Sequence, residues 1–154
     1  MRTDDLDRRI LEALQQDFPL HARPFEVLAA RLGIEAELLW RRVEALLDRG
    51  VIRRLGASFD SGKLGFRSTL AALRVGSALV DRAAQTIGRY PEVTHSYLRG
   101  HEFNLWFTII AADEQRIETI LREIRMELSL DPSDVLNLPR KRTFKLDARF
   151  KAQP

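Results

Sequence analysis

The residues best suited to chemistry lie together in one short stretch, VTHSYLRGHEFNLWFT at 93–108. A hairpin that only had to fold would use Val, Ile and Thr, but this one carries two histidines, an arginine, a tyrosine, an asparagine and a tryptophan. Histidine moves protons near neutral pH, arginine pairs with carboxylates, and aromatic rings contact flat ligands. The combination therefore suits a ligand that is both aromatic and anionic.

Alternation along this stretch predicts how its side chains divide between the two faces of a β-hairpin. A two-residue turn at 100–101 or 101–102 would pair odd positions before the turn with even positions after it. The polar face then carries His95, Tyr97, Arg99, Asn104, Trp106 and Thr108. The other face, which would cover a core, carries Thr94, Ser96, Leu98, Phe103, Leu105, Phe107 and Ile109.

Two interpretations of the polar face stay open. It could pack against a second subunit, because Tyr, Trp and Arg are common interface anchors. It could instead hold a ligand, and the two histidines that flank Tyr97 and Arg99, His95 and His101, favour this interpretation. A metal site is not predicted. The chain has no cysteine, and the two histidines lack a convincing carboxylate as third ligand, although Glu102 is adjacent.

The rest of the chain supplies the elements that must position the hairpin. Apolar residues at helical spacing predict helices at 5–18, 24–33, 35–49, 78–90 and 114–128. Alternating residues predict a β-ribbon at 51–60 and extended strands at 67–75, 93–100, 103–111 and 135–150. We therefore expect an α+β protein, with a winged helix-turn-helix domain at 1–60 and a ferredoxin-like βαββαβ domain at 61–154. Helices in such a domain cover one sheet face and leave the other open.

Composition excludes several classes of protein. Without cysteine there are no disulfides, thiolate metal sites or cysteine nucleophiles. The chain has no long apolar run, and its first residues, MRTDDLDRRI, show no signal-peptide pattern, so we expect a cytoplasmic protein with no membrane partner. Residues 1–56 hold ten Arg and ten Asp or Glu, whereas residues 139–151 hold six cations and one aspartate. The basic end indicates either an anionic partner or a solvated edge strand.

The third predicted helix is where a DNA-binding regulator would read bases. It begins EAELLW at 35–40, and carboxylates near its N-terminus would repel phosphates. Arg41 and Arg42 could still contact the phosphate backbone. We expect no DNA partner, and we expect these helices to serve subunit packing.

The domain order is similar to that of the Lrp/AsnC family of amino-acid-responsive regulators. Three long stretches resemble sirohaem decarboxylase more closely: IRRLGASFDSGKLGF at 52–66, VTHSYLRGHEFNLWFT at 93–108 and LNLPRKRTFKLDARF at 136–150. This is an Lrp/AsnC-derived enzyme family of haem and haem d1 biosynthesis. The FNLWFT form and the LNLP–FKL ending resemble the AhbA or NirD/NirG type of subunit.

The resemblance implies a lyase that removes two acetate carboxylates of sirohaem as CO2, giving 12,18-didecarboxysirohaem. It implies a substrate site between the ferredoxin-like domains of a dimer, a heterodimer with a related subunit or a homodimer. It implies no separate cofactor, because the iron is carried by the substrate. The alternatives are a ligand-responsive DNA-binding regulator of the Lrp/AsnC type and a non-catalytic subunit that supports an active partner.

Roles for individual residues follow from this resemblance as hypotheses. His101 and His95 are the candidate general acids, His101 first because a turn leaves it more reachable. Arg99 would anchor a carboxylate, Tyr97 would orient one, and Trp106 or Asn104 would line the pocket. Weaker anchor candidates are Arg140, Lys141 and Arg142.

Overall fold

The structure, a computed structural model, describes residues 3–145 and residue 149. The described residues fall into two compact units, one ending at Ala57 and the other spanning Ser58–Phe144. Each unit has its own hydrophobic core. The domain limits of 1–60 and 61–154 stay a prediction.

The first unit contains three helices, α1 (Asp5–Gln16), α2 (Pro24–Leu32) and α3 (Ala36–Asp48). Asp4 caps α1 by accepting a hydrogen bond from the backbone N–H of Asp7 at 2.8 Å. Gly33 ends α2 with φ +69°, a conformation that glycine adopts without strain. The helices bury one shared core of Ile10, Leu11, Leu28, Ala29, Leu39, Val43, Leu46 and Ile52. The predicted helix-turn-helix is confirmed.

The β-ribbon predicted at 51–60 is wrong, because this segment forms neither helix nor strand. Ile52 is its one buried residue, and Phe59 is 76% exposed. A two-stranded ribbon alone is marginally stable in water and needs a buried face, which this segment lacks. The alternation of VIRRLGASFD was therefore a local pattern without a packing partner.

The second unit is a four-stranded antiparallel sheet covered on one face by helices. Its strands are β1 (Arg67–Leu73), β2 (Val93–Leu98), β3 (Leu105–Ala111) and β4 (Val135–Pro139), and their order in the sheet is β2-β3-β1-β4. Helices α4 (Val80–Gly88) and α5 (Glu114–Glu127) pack on the inner face, where Phe107, Ile109, Ile87, Ile120 and Ile124 are fully buried. The predicted ferredoxin-like arrangement is confirmed.

The last predicted segment, 135–150, is shorter as a strand than expected. Strand β4 ends at Pro139, and residues 140–145 are exposed and outside any helix or strand. Proline cannot donate a ladder hydrogen bond, so it is a natural end for a sheet strand. Residues 146–148 and 150–154 lie outside the described part of the chain.

Candidate functional site

Strand pairing confirms the polar face predicted for the hairpin, whereas Ser96 and Leu98, which were predicted to cover the core, are exposed. Tyr97 lies opposite Trp106 and His95 opposite Thr108, so these four side chains share the face that α4 and α5 leave open. The same face continues across β1 and β4. One row across the sheet holds Tyr97, Trp106, Ala72 and Leu136, and the next holds His95, Thr108, Leu70 and Leu138.

Two details of the hairpin differ from the expectation. The register shifts between Val93 and His95, so Thr94 is the extra residue of a β-bulge and does not continue the core face. The connection between the strands is a four-residue loop at 100–103 and not a two-residue turn, because Arg99 N–H still donates to Asn104 O at 2.8 Å. His101 lies inside this loop, and Phe103 is half-buried there instead of lying in the core.

The outer strand presents a histidine, a tyrosine and an arginine in sequence. The His95 and Tyr97 rings stack with centroids 6.2 Å apart and planes at 15°. The guanidinium carbon of Arg99 lies 5.4 Å from the centre of the Trp106 ring. No carboxylate among the described residues pairs with Arg99, which leaves this cation available to an external anion. The His95 Nδ1 atom lies 3.0 Å from Thr94 Oγ1.

The 100–103 loop holds His101 through backbone contacts on both sides. His101 N–H donates to Arg99 O at 3.0 Å, and Phe103 N–H donates to His101 Nδ1 at 3.1 Å. Trp106 Nε1 donates to Phe103 O at 2.6 Å, which fixes the end of the loop. The His101 ring lies 6.4 Å from the Phe103 ring and 6.5 Å from the Trp106 ring. The structure thus brings His101, Trp106 and Arg99 together.

Asn104 has its side chain already engaged by protein backbone. Its Oδ1 accepts from Val75 N–H at 3.1 Å, and its Nδ2 donates to Val75 O at 2.8 Å. Its own N–H donates to Leu73 O at 2.9 Å. These bonds tie the hairpin loop to the end of β1. The pocket-lining role of Asn104 stays a prediction, and its contacts in this structure hold the loop in place.

Arg74 is a neighbour of the site that the sequence did not indicate. Its guanidinium carbon lies 5.5 Å from the centre of the Phe103 ring, and its Nε donates to Asp134 Oδ1 at 2.7 Å. Its Nη1 is 3.8 Å from Glu102 Oε2. The hydrogen bond to Asp134 raises the pKa of Arg74 above its ordinary value. Strand pairing produces these contacts, because Leu73 opposite Leu105 brings the residue after β1 to the hairpin loop.

The predicted basic anchors lie at the other edge of the sheet. Arg140, Lys141 and Arg142 follow β4, which is separated from β2 by β3 and β1, roughly 14 Å at normal strand spacing. Arg142 lies 4.7 Å from the Phe144 ring centre. Arg140 lines a cavity of about 310 Å³ together with Arg67, Asn137 and Glu118. Within this chain, the structure does not bring these three cations to the histidines.

A second cavity adjoins the hairpin loop. It has a volume of about 420 Å³, and its lining includes Leu98, Arg99, His101, Asn104 and Val80. It lies where the loop meets the start of α4, so His101 is accessible from this side as well. In the part of the chain that the structure describes, there is no group of three or more His, Asp or Glu side chains that could hold a metal ion. No helix within residues 3–145 is long and apolar enough to cross a membrane.

Helix α3 of the first unit is the candidate DNA-recognition helix, and its two arginines form ion pairs within that unit. Arg42 contacts Asp4 at 2.6 Å and the buried Asp7 at 3.2 Å. Arg41 lies 3.7 Å from Glu37, one turn earlier. The hydrogen bond that Arg42 donates to Asp4 raises the pKa of Arg42 above its ordinary value. Two cations that could contact phosphate are therefore already matched by carboxylates.

Comparison with known proteins defines first the class and then the family. Residues 63–145 match the AsnC-like ligand binding domain, which places the second unit among AsnC-type proteins. An AsnC family transcriptional regulator from Agrobacterium tumefaciens has the same fold, with TM-score 0.76 and 24% identity over 96% of both chains. Residues 7–53 match a narrower model, the siroheme decarboxylase NirDL-like HTH domain. The chain belongs to the sirohaem decarboxylase family.

Individual relatives agree with this assignment. The sirohaem decarboxylase alpha subunit of Nitratidesulfovibrio vulgaris is 44% identical over 96% of this chain and 82% of its own. The NirG subunit of Stutzerimonas stutzeri is 42% identical over 96% of this chain and 98% of its own. The crystal structure of the sirohaem decarboxylase NirDL with an iron-uroporphyrin III analogue matches with TM-score 0.68 and 34% identity over 87% of this chain. This chain spans 44% of the length of that NirDL chain.

Proposed function

We propose that this chain is a sirohaem decarboxylase subunit that removes the two acetate carboxylates as CO2 and gives 12,18-didecarboxysirohaem. The observation that carries the proposal is the similarity to decarboxylase subunits at above 40% identity along nearly the whole chain. Two relatives carry the NirG and NirD names, which agrees with the subunit type that the sequence resembles. The iron belongs to the substrate, so the chemistry requires no further cofactor.

The open face of the sheet suits an aromatic polyanion. Trp106 and Tyr97 offer ring surface to a flat macrocycle, and Tyr97 is 52% exposed. Arg99 is aimed over Trp106 and has no internal carboxylate partner within residues 3–145, so it can hold a peripheral carboxylate of the substrate. Leu70 and Leu138 extend the same surface with apolar side chains. Binding of this kind grips the substrate without using the carboxylate that leaves.

Each decarboxylation exchanges a carboxylate for a proton. The bond between the acetate CH2 and its carboxylate carbon breaks, CO2 departs, and the electron pair stays on the pyrrole-bound carbon, which takes a proton and becomes a methyl group. The reaction therefore needs one proton donor close to that carbon and a leaving carboxylate that is not held too tightly. His95 and His101 are the two imidazoles at the candidate site that can supply or orient such a proton.

The partner in this proposal is a related decarboxylase subunit or a second copy of this chain. The open sheet face binds one side of a flat ligand, and a second ferredoxin-like domain would cover the other side and exclude water. The relatives are named as subunits, and NirDL is about twice the length of this chain. A catalytic assembly of two such domains agrees with both facts.

Anaerobic incubation of iron-bearing sirohaem with this chain, alone and with its related subunit, tests the proposal by mass spectrometry of the tetrapyrrole. We expect stepwise loss of one and then two CO2. Loss only in the mixture would assign the activity to the heteromer, and loss with the chain alone would assign it to the homomer. Intact sirohaem in both mixtures, despite binding, would contradict the enzyme and favour a supporting subunit or a sensor.

A further inference from the structure

The hydrogen bond from Phe103 N–H to His101 Nδ1 decides where the proton of His101 resides. A nitrogen that accepts from a backbone N–H carries no proton, so this contact fits the His101 tautomer that has its proton on Nε2. No protein group among the described residues pairs with Nε2. Adding a second proton at Nδ1 would break the Phe103 bond and leave two N–H groups facing each other. The resting site thus offers a neutral N–H donor at this position.

Neighbouring contacts maintain this arrangement. Arg74 lies against the Phe103 ring, and Trp106 holds the Phe103 carbonyl, so Phe103 is fixed on both sides. Asn104 ties the end of the loop to Val75 through both atoms of its amide. The charged groups beside the loop are Arg74, Arg99 and Glu102, and Glu102 is drawn towards Arg74 at 3.8 Å.

We propose that Arg74, Phe103 and Asn104 are positioning residues that hold His101 in the tautomer with its proton on Nε2, so that Nε2 is the atom that donates to the substrate. This role rests on the proposed function. A neutral donor orients the leaving carboxylate without the strong ground-state attraction of an imidazolium, which would slow departure of CO2. His95 Nδ1, in contrast, lies 3.0 Å from a side-chain hydroxyl, Thr94 Oγ1, which can accept or donate.

Ring-nitrogen NMR of the full chain tests the proton position directly. The chain has three histidines, so single replacements of His21 and His95 by Gln assign the spectrum. We expect wild-type His101 to show Nδ1 unprotonated and Nε2 protonated at neutral pH. A proton on Nδ1 in the wild-type chain would overturn the proposal, and this result needs no variant and no activity.

Glutamine replacements separate a neutral donor from an acid. The amide of His101→Gln keeps an N–H donor, so this variant should be roughly 10-fold more active than His101→Ala. Equal loss for both His101 variants would contradict the neutral-donor role.

Replacement of the positioning residues should act through His101. Arg74→Gln and Phe103→Leu should give a mixture of His101 tautomers and lower kcat by between about 10- and 100-fold, with little change in KM. Arg74→Lys, which keeps the charge near Asp134, should recover part of the loss. Arg82→Gln is the matched control, since Arg82 contacts Glu127 O in the helix layer. This variant should change neither the His101 tautomer nor kcat.

The two proposals fail in different ways. Unchanged tautomers and unchanged kcat in both Arg74→Gln and Phe103→Leu would overturn the positioning role. If the wild-type mixture releases no CO2 while the tautomer still shifts in these variants, the positioning of His101 stands and the decarboxylase function fails.

Discussion

Arg99 of the second unit lies in a different setting from the paired arginines of the first unit. In the first unit, Arg8 pairs with Asp5, Arg31 with Asp17, and Arg42 with Asp4 and Asp7. In the second unit, Arg99 lies on an aromatic ring without a carboxylate in the described chain. A matched charge stabilises a fold, whereas an unmatched charge in an aromatic setting is available to a ligand. The difference indicates that ligand chemistry belongs to the hairpin and not to the helix-turn-helix unit.

The largest expected effect comes from removing a histidine of the hairpin. His101→Ala should slow CO2 loss by roughly 10²-fold or more while sirohaem still binds, because proton positioning acts mainly in the transition state. His21→Ala is the control, since His21 accepts from Arg23 N–H in the first unit and should not affect turnover. Initial rates from mass spectrometry measure both. Full activity of His101→Ala would remove this residue from the site.

Removing the unmatched cation should weaken binding. Arg99→Gln should reduce sirohaem affinity by about 10-fold, the effect of losing one charge-assisted hydrogen bond. The control is Arg41→Gln, which removes an arginine already matched by Glu37 in the first unit. Titration of the sirohaem absorbance gives both dissociation constants. Similar losses in the two variants would contradict the contrast between matched and unmatched charge.

Removing a paired charge within the second unit should lower the stability of the fold and leave substrate binding unchanged. Arg116 Nε donates to Glu92 Oε1 at 2.7 Å and lowers the pKa of Glu92 below its ordinary value. Glu92→Gln should cost about 1 kcal/mol of unfolding free energy at pH 7, with sirohaem affinity unchanged.

The pH dependence of this effect has a definite sign. A lowered carboxyl pKa stabilises the fold fully above the ordinary value and ceases to do so as the pH falls through the lowered value. The difference in urea midpoint between Glu92→Gln and the wild-type chain should therefore be largest at neutral pH and shrink below about pH 4. A difference independent of pH would contradict the ion pair as its cause.

The smallest expected effect is on DNA binding. With its arginines matched and glutamates at 35 and 37, α3 should give no tight binding in a gel-shift experiment at low salt. Replacing Asp4 by Asn should release Arg42 only partly, because Asp7 remains 3.2 Å away. Tight binding with a steep salt dependence would restore the regulator as an alternative.

Much of the fold was predictable because local patterns and packing agree. Helix limits followed from Pro24, Gly33 and the apolar spacing of α5, and strand alternation assigned the open face of the hairpin correctly. The ribbon at 51–60 was not predictable from alternation, because a strand also needs a neighbour. The length of the loop was not predictable either. A two-residue turn and a four-residue loop both pair odd positions before the connection with even positions after it.

The candidate site was predictable in its residue types and not in its contacts. His95, Tyr97, Arg99 and Trp106 share a face because one alternating stretch encodes them. Arg74 lies about thirty residues earlier and reaches Phe103 only through the pairing of β1 with β3. The amide of Asn104, which was predicted to line the pocket, also binds the backbone of Val75 across the same pairing. Long-range contacts of this kind leave no signal in residue spacing.

The bulge at Thr94 and the proline at 139 lie at opposite edges of the sheet. An outer strand with regular free N–H and C=O groups invites strands of other molecules and leads to aggregation. The bulge interrupts that row on β2, and Pro139, which has no N–H, interrupts it on β4. Both edges therefore resist growth of the sheet by chance pairing.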